Sequence, residues 1–292
     1  MSLPDPGACV EWLRVGLVQT GMHPCAWRSG AKMSREEEEA AIAEIRTLMG
    51  AFQGPEAPDI ILLPELAVPR GWERELRRLA ERLGAVIVAG VDYAVGPAGV
   101  RNEAVVIVPS VWRDRRVGRG TVTRRIAKTY AAEAEQRGLK EVGLHFIQEP
   151  SVWVFDGGSF GSFGVVLCYD FLDLERAAMY RKRIQHLFVL SFNRDSHSFN
   201  HMAEALARTV YTNVVVCNCG HFGGSLAVSP FREPPRRVIY RHDGPSLSTV
   251  QTFSLPVREL VEHQATGGKT FKGRPPGYTD EVLLALRNSS LE

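Results

Sequence analysis

Phe163-Gly164-Val165-Val166-Leu167-Cys168-Tyr169-Asp170 is an apolar run that ends on a thiol. The run does not alternate apolar and polar residues, which is the pattern of a strand covered on both faces of a sheet. Residues 174–183 then read as a helix, so Cys168 falls at a strand's C-terminal end just before a helix begins. In open α/β folds that edge is where ligands bind. A helix start there would also favour thiolate over thiol. A small buried cysteine closing a strand accounts for the same residues, and this segment alone does not separate the two readings.

Two further strand ends carry chemistry. Leu62-Leu63-Pro64-Glu65-Leu66 closes an apolar run with a carboxylate. Such a group at the rim of a buried strand is costly unless it is paired or functional, although a loop cap would also explain it. Arg124-Arg125-Ile126-Ala127-Lys128-Thr129-Tyr130 places Lys128 at the end of a third strand. Taken singly, Lys128 reads as a surface lysine.

The rest of the chain alternates strand and helix signals. Strands are expected at 12–19, 59–63, 85–91, 105–108, 122–126, 152–155, 163–167, 187–191, 214–217, 225–228, 238–241 and 249–255. Helices are expected at 35–52, around Leu76 to Leu83, at 174–183 and at 199–210. Many strands with interleaved helices and no evident linker imply one α/β domain. Residues 266–278 hold four Gly and two Pro and read as an extended arm.

Composition narrows the classes. With 45% apolar and 23% charged residues the 292-residue chain is not disordered, and a net charge of +2 calls for no polyanionic partner. No apolar run reaches the roughly 18 residues of a membrane span. The first ten residues lack the order of a signal peptide. The five cysteines, at 9, 25, 168, 217 and 219, are too few and odd in number for a disulfide framework. Free thiols in a reducing cytoplasm are therefore expected.

Glu65, Lys128 and Cys168, each at a strand end and in that order, are more specific together than any one of them. In this the sequence resembles the nitrilase, or carbon–nitrogen hydrolase, superfamily, whose Glu–Lys–Cys triad comes in the same order on an α-β-β-α sandwich. The resemblance runs from about Val15 to about Leu260, and Ala207-Arg208-Thr209, Asn213, Asn218, Gly220 and Gly223-Gly224-Ser225 look like the family's later strand–loop region. It implies an N-terminal extension over residues 1–11, a hydrolase domain over 12–265 and a C-terminal arm over 266–292. It also implies homodimers or larger assemblies, with the arm as a candidate cross-subunit clamp.

Carried over by residue, the resemblance makes Glu65 the general base, Cys168 the nucleophile and Lys128 the oxyanion stabiliser. A second glutamate follows the lysine in many members. Glu133 and Glu135 both lie in that stretch, and Glu135 has the closer spacing. Tyr169, Asn193 and His197 are expected at the substrate. Asp170 and Glu175 fit the family's pattern after the nucleophile, whereas Leu174 stands for its Pro and Ala178 for its Arg. Leu172 also stands where several members have Arg, and Thr212 where an acid often precedes Asn213. The implied activity is hydrolysis of an amide or nitrile C–N bond in a small molecule through a Cys thioester or thioimidate, with no metal or organic cofactor. A catalytically silent binding protein of the same fold, or an N-acyltransferase using the same triad, are the alternatives. Held in a cleft, Lys128 is expected to matter for turnover and little for stability.

Other signals have plainer explanations. Gly157-Gly158-Ser159-Phe160-Gly161 matches G-x-S-x-G but lies between two strands, as a hairpin turn does. Gly268-Lys269-Thr270 lacks a leading strand and the first glycine of a phosphate loop. Cys217, Cys219 and His221 match no common zinc spacing, and His197 and His201 lack the glutamate of a metalloprotease helix. Arg113, Arg115, Arg116, Arg119, Arg124 and Arg125 precede Lys128 beside Trp112, so a single-stranded nucleic acid site is conceivable. No second basic platform appears, and a solvated hairpin face fits better.

Overall fold

The computed structural model describes residues 4–21, 31–54, 57–113 and 115–278. The alternating patterns build two sheets of six strands each. The first sheet holds β1 (Trp12–Gln19), β2 (Ile60–Val68), β3 (Val86–Gly96), β4 (Gly99–Val108), β7 (Val122–Ala127) and β14 (Thr249–Pro256), in the order β14-β1-β2-β3-β4-β7. Between β4 and β7 lies a small hairpin of β5 (Val111–Trp112) and β6 (Arg115–Arg116). The second sheet holds β8 (Val154–Phe155), β9 (Phe163–Leu167), β10 (His186–Ser191), β11 (Asn213–Asn218), β12 (Ser225–Val228) and β13 (Val238–His242), in the order β13-β12-β11-β10-β9-β8. The central strands β1-β2-β3 and β9-β10-β11 run parallel, and the flanking strands are antiparallel. Parallel neighbours align their C-terminal ends on one edge.

Period-two alternation sorts each strand's side chains. In β2, Ile60 and Leu62 face the other sheet and pack with Val165, Leu167, Phe188 and Val215. Ile61 and Leu63 face outward onto α1 (Arg35–Met49) and α2 (Glu73–Leu83) through Ile45, Met49, Leu76 and Ala80. The second sheet's outer face, with Val166, Val189 and Val216, is covered by α4 (Leu174–Tyr180) and α5 (Ser196–Leu206) through Tyr180, Phe199 and Ala203. The layers are therefore α-β-β-α around a shared inner core, in one domain. Helix ends follow local chemistry: Ser34 and Glu37 form a capping box on α1, and Gly84 ends α2 at φ +59°.

Several elements differ from the sequence reading. The helix expected at 199–210 begins at Ser196 and ends in a π turn over Ala207–Tyr211. Three helices were not anticipated: α3 (Glu133–Glu141), α6 (Pro234–Arg237) and α7 (Arg258–Thr266). In α3 Leu139 is the single buried apolar residue, so the helix carries no apolar stripe to announce it. The arm, over its described part to Tyr278, packs on its own chain. Phe271 stacks on Phe231 at 4.7 Å, and the backbone pairs Arg232 with Thr270 and Lys272 with Pro230. Residues 279–292 and Cys25 lie outside the described residues.

The competing motifs resolve in the same frame. Ser159 sits in a turn of the β8–β9 hairpin, where its hydroxyl accepts a hydrogen bond from Arg115. Arg113 pairs with the buried Asp59 at 2.7 Å, and Arg125 pairs with Glu73 and Glu103. Cys217 and Cys219 are buried, and among the described residues no group of three His, Cys, Asp or Glu side chains is arranged to hold a metal. No helix of the described residues is long and apolar enough to cross a membrane.

Candidate active site

Glu65, Lys128 and Cys168 reach one point from three strands of two sheets. Glu65 sits in a bulge of β2, where the β2–β3 register shifts between Leu63 and Val68 and the next residue, Leu66, has φ +59°. Such a bulge re-aims a side chain. It presses against β3 so closely that a Cβ on Gly90 would lie 2.3 Å from the Pro64 carbonyl oxygen and 2.4 Å from the Glu65 Cα. Only glycine fits there. Lys128 follows β7 directly, its N–H donating to the Asn102 carbonyl at 2.9 Å. Cys168 follows β9 at φ +41°, a left-handed conformation for a non-glycine residue, and opens a 3-10 turn to Leu172. Backbone outliers of this kind collect at functional sites.

The side chains form one buried network. The Lys128 ammonium donates to Glu65 Oε1 at 2.8 Å and to Glu135 Oε2 at 2.6 Å, and all three side chains are at least nine-tenths buried. Asn102 Nδ2 donates to both carboxylates, at 2.8 Å each, and the Tyr93 hydroxyl donates to Glu135 Oε1 at 2.8 Å. The Phe192 N–H donates to Glu65 Oε2 at 2.9 Å, and Glu65 and the Phe192 amide lie near enough to the Cys168 thiol to act on its proton. Of the two glutamates weighed in the sequence, the network contains Glu135. Glu133, two residues earlier on α3, points to solvent and pairs with Arg137 at 2.6 Å.

Burial and charge set the protonation states. Burial pushes the Cys168 thiol far up, and the neighbouring Glu65 carboxylate adds to it, against Lys128 and the Phe192 amide. The thiolate expected at a helix start is therefore not favoured here: the turn after Cys168 is 3-10, and burial together with the adjacent anion keeps the thiol protonated. Burial also raises Glu65, opposed by Lys128 and reinforced by Glu135. For Glu135 burial again acts upward, yet the Lys128 ammonium and the Asn102 and Tyr93 donors bring it below the usual carboxylate range. Lys128, which burial alone would neutralise, is held well above its ordinary value by Glu65 and Glu135. The resting cluster is thus a neutral thiol, a basic carboxyl and an ammonium pinned to a second carboxylate.

Asp170, which fits the family's pattern in the sequence without a stated role, ties the Lys128 loop to the nucleophile's turn. Asp170 is buried and accepts from the Thr129 and Tyr130 N–H groups at 2.9 and 2.8 Å. Arg176, also buried, lies 3.6 Å from Asp170 and donates to Thr129 Oγ1 and the Ser151 carbonyl. A carboxylate two residues after the cysteine was the available signal. Arg176 gives no such signal, because the family's pattern has its arginine at the place of Ala178.

The network lines a cavity of about 870 Å³. Tyr169 and Asn193, expected at the substrate, line it. The Asn193 side chain, however, is bound within its own turn, donating to the Asp195 carbonyl and accepting from its N–H. His197 does not line it. In the first turn of α5 it is Ser198 and Phe199 that reach the cavity, while His197 is exposed and packs its ring on His201 at 4.6 Å.

No family model and no curated protein matches the chain. Solved structures do. A carbon–nitrogen hydrolase superfamily protein from Xanthomonas campestris, with an arsenic adduct in its active site, superposes with a TM-score of 0.64 at 14% identity, over 93% of this chain and 97% of that one. Saccharomyces cerevisiae Nit3, a member of branch 10 of the nitrilase superfamily, gives 0.59 at 16%, over 89% and 96%. A mutant of the amidase from Nesterenkonia sp. AN1, with the acetamide moiety of fluoroacetamide added covalently at its active-site cysteine, gives 0.59 at 14%, over 86% and 92%. The chain has the nitrilase-superfamily fold.

Proposed function

We propose that this protein is a thiol hydrolase that cleaves the C–N bond of a small non-peptide amide or nitrile through a covalent Cys168 intermediate. The observation that carries the proposal is the convergence of Cys168 with Glu65, which shares the Lys128 ammonium with Glu135, on one cavity.

For an amide, Glu65 takes the thiol proton as the sulfur attacks the carbonyl carbon. An ammonium has three donors, and two of those on Lys128 are engaged by carboxylates; the third serves the developing oxyanion together with the Tyr169 backbone N–H. The C–N bond breaks as Glu65 returns its proton to the departing nitrogen, leaving a thioester. Glu65 then deprotonates a water that attacks the thioester, and collapse releases the acid and restores the thiol. These steps call on the chain's own residues and on water alone. Its thiols suit a reducing compartment, and the working enzyme is a cytoplasmic homodimer or larger assembly.

Ammonia release from a panel of amides and nitriles tests the reading, with Cys168→Ala as the control. Fluoroacetamide, which adds to the active-site cysteine of the Nesterenkonia amidase mutant, should add mass at Cys168 and nowhere else. No ammonia from any member of the panel and no adduct at Cys168 would instead support the catalytically silent alternative.

A further inference from the structure

The walls of the cavity are chemically unlike its floor. Leu66, Leu139 and Phe199 line it from buried positions, Phe192 and Phe222 meet edge to face at 5.2 Å, and Leu172 stands 37% exposed beside them. The volume of about 870 Å³ lies toward the upper end of the roughly 300–1,000 Å³ of small-molecule sites. A two-carbon acyl group would leave most of that space unfilled.

Charge along the cavity is already committed or lies in water. At the floor, Lys128 is engaged by two carboxylates. Arg137, Glu141, Arg194 and Asp195 also line the cavity, and all four are exposed. Arg137 pairs with Glu133 at 2.6 Å. Asp195 caps α5 by accepting from the Ser198 N–H at 3.1 Å, and the Arg194 charge acts on it. A charged substrate tail laid along the walls would leave water and meet no buried counter-charge, which is costly.

We propose that the site selects amides or nitriles whose acyl chain is uncharged, apolar and several carbons long, in preference to acetyl-sized groups or chains with a terminal charge. This rests on the thiol-hydrolase reading above. Each methylene transferred to the walls is expected to raise kcat/KM by about fourfold until the space is filled.

The test compares acetamide, butyramide, hexanamide and 3-phenylpropanamide with two charged relatives of hexanamide, 4-carbamoylbutanoate and 5-aminopentanamide. Hexanamide and the phenyl compound are expected to exceed acetamide by more than tenfold in kcat/KM, and the charged pair to fall more than tenfold below hexanamide. Phe222→Ala should shrink the hexanamide-to-acetamide ratio. Calorimetric affinities of the same compounds for Cys168→Ala report the cavity without turnover. If affinities follow this order but nothing is hydrolysed, the hydrolase reading falls and the cavity's preference stands. If amides are hydrolysed with a flat series, or with either charged compound preferred, the preference is overturned and the hydrolase reading stands.

Discussion

Replacing Lys128 by Met removes the cation that bridges Glu65 and Glu135, at 2.8 and 2.6 Å. Two buried carboxylates are then left facing each other. Breaking a buried pair by removing one partner costs about 3–5 kcal/mol. The alternative is for one carboxyl to take up a proton, which from an unfolded value of about 4.3 costs about 3.7 kcal/mol at pH 7 and about 1 kcal/mol at pH 5. The two routes are comparable at neutral pH, and protonation wins in acid. A carboxyl whose folded pKa lies above its unfolded one supports the fold fully below the unfolded value and loses that support as pH rises through the folded value. Lys128→Met is therefore expected to approach the parent near pH 5 and fall behind it near pH 8. With roughly 2.1 cal/mol/K of unfolding entropy per residue near 60 °C, a 292-residue chain loses about 5–8 °C in Tm for 3–5 kcal/mol. Calorimetry of both proteins across that range measures the difference, and hydrolysis of a responsive amide should fall by about 10²–10³-fold. A Tm difference that does not change with pH, or a variant as stable as the parent near pH 8, refutes the role of Lys128 as counter-ion to both carboxylates. The expectation from sequence, that stability would hardly change, is replaced here because the lysine proves to be buried between two acids.

Glu135→Gln should lower turnover by at least tenfold, because the amide cannot hold Lys128 by charge. Glu133→Gln should leave turnover intact, its exposed pair with Arg137 being worth roughly 0–1 kcal/mol; equal effects in steady-state assays would contradict the assignment. Gly90→Ala should cut turnover sharply, since its Cβ would collide with Pro64 and Glu65 and displace the base, and retention of parental activity would show the bulge to be incidental. Iodoacetamide mapping should label Cys168 ahead of the buried Cys9, Cys217 and Cys219, and Glu65→Gln should slow that labelling, because the thiol is neutral at rest and needs the base; unchanged labelling would point to a preformed thiolate.

The three strand ends could be read in the sequence because an apolar run that stops at a Glu, a Lys or a Cys breaks its own pattern. Asn102 and Tyr93 gave no such signal. Both lie within strands, and their task depends on a carboxylate delivered by α3, which is polar apart from Leu139. Spacing could favour Glu135 over Glu133, but only the helix separates them: two residues along it turn a side chain by about 200°, from solvent to the network. The bulge in β2 left a trace in Pro64, yet the need for glycine at position 90 comes from a neighbouring strand twenty-five residues away. His197 was misjudged for a related reason. It falls two residues before the helix expected at 199–210, and which face of the longer α5 meets the cavity is decided by how that helix packs through Phe199 and Ala203.

The second glutamate explains how a lysine and a base can touch without cancelling. Were Lys128 paired with Glu65 alone, the ammonium would stabilise the carboxylate and weaken it as a proton acceptor. Glu135 changes both sides of that balance. Its carboxylate, held ionised by Lys128, Asn102 and Tyr93, takes a share of the ammonium, and its charge raises the proton affinity of Glu65. In the proposed reaction Glu65, its proton affinity raised, takes the Cys168 proton as the sulfur attacks, while at rest burial and that carboxylate keep the proton on the thiol. The cation is held on the two carboxylates at the edge of the same cavity. It can meet negative charge as that charge moves from sulfur to the substrate oxygen, the point at which fixed electrostatics contribute most. In this arrangement Glu135 is a positioning residue: it acts through Lys128 and Glu65.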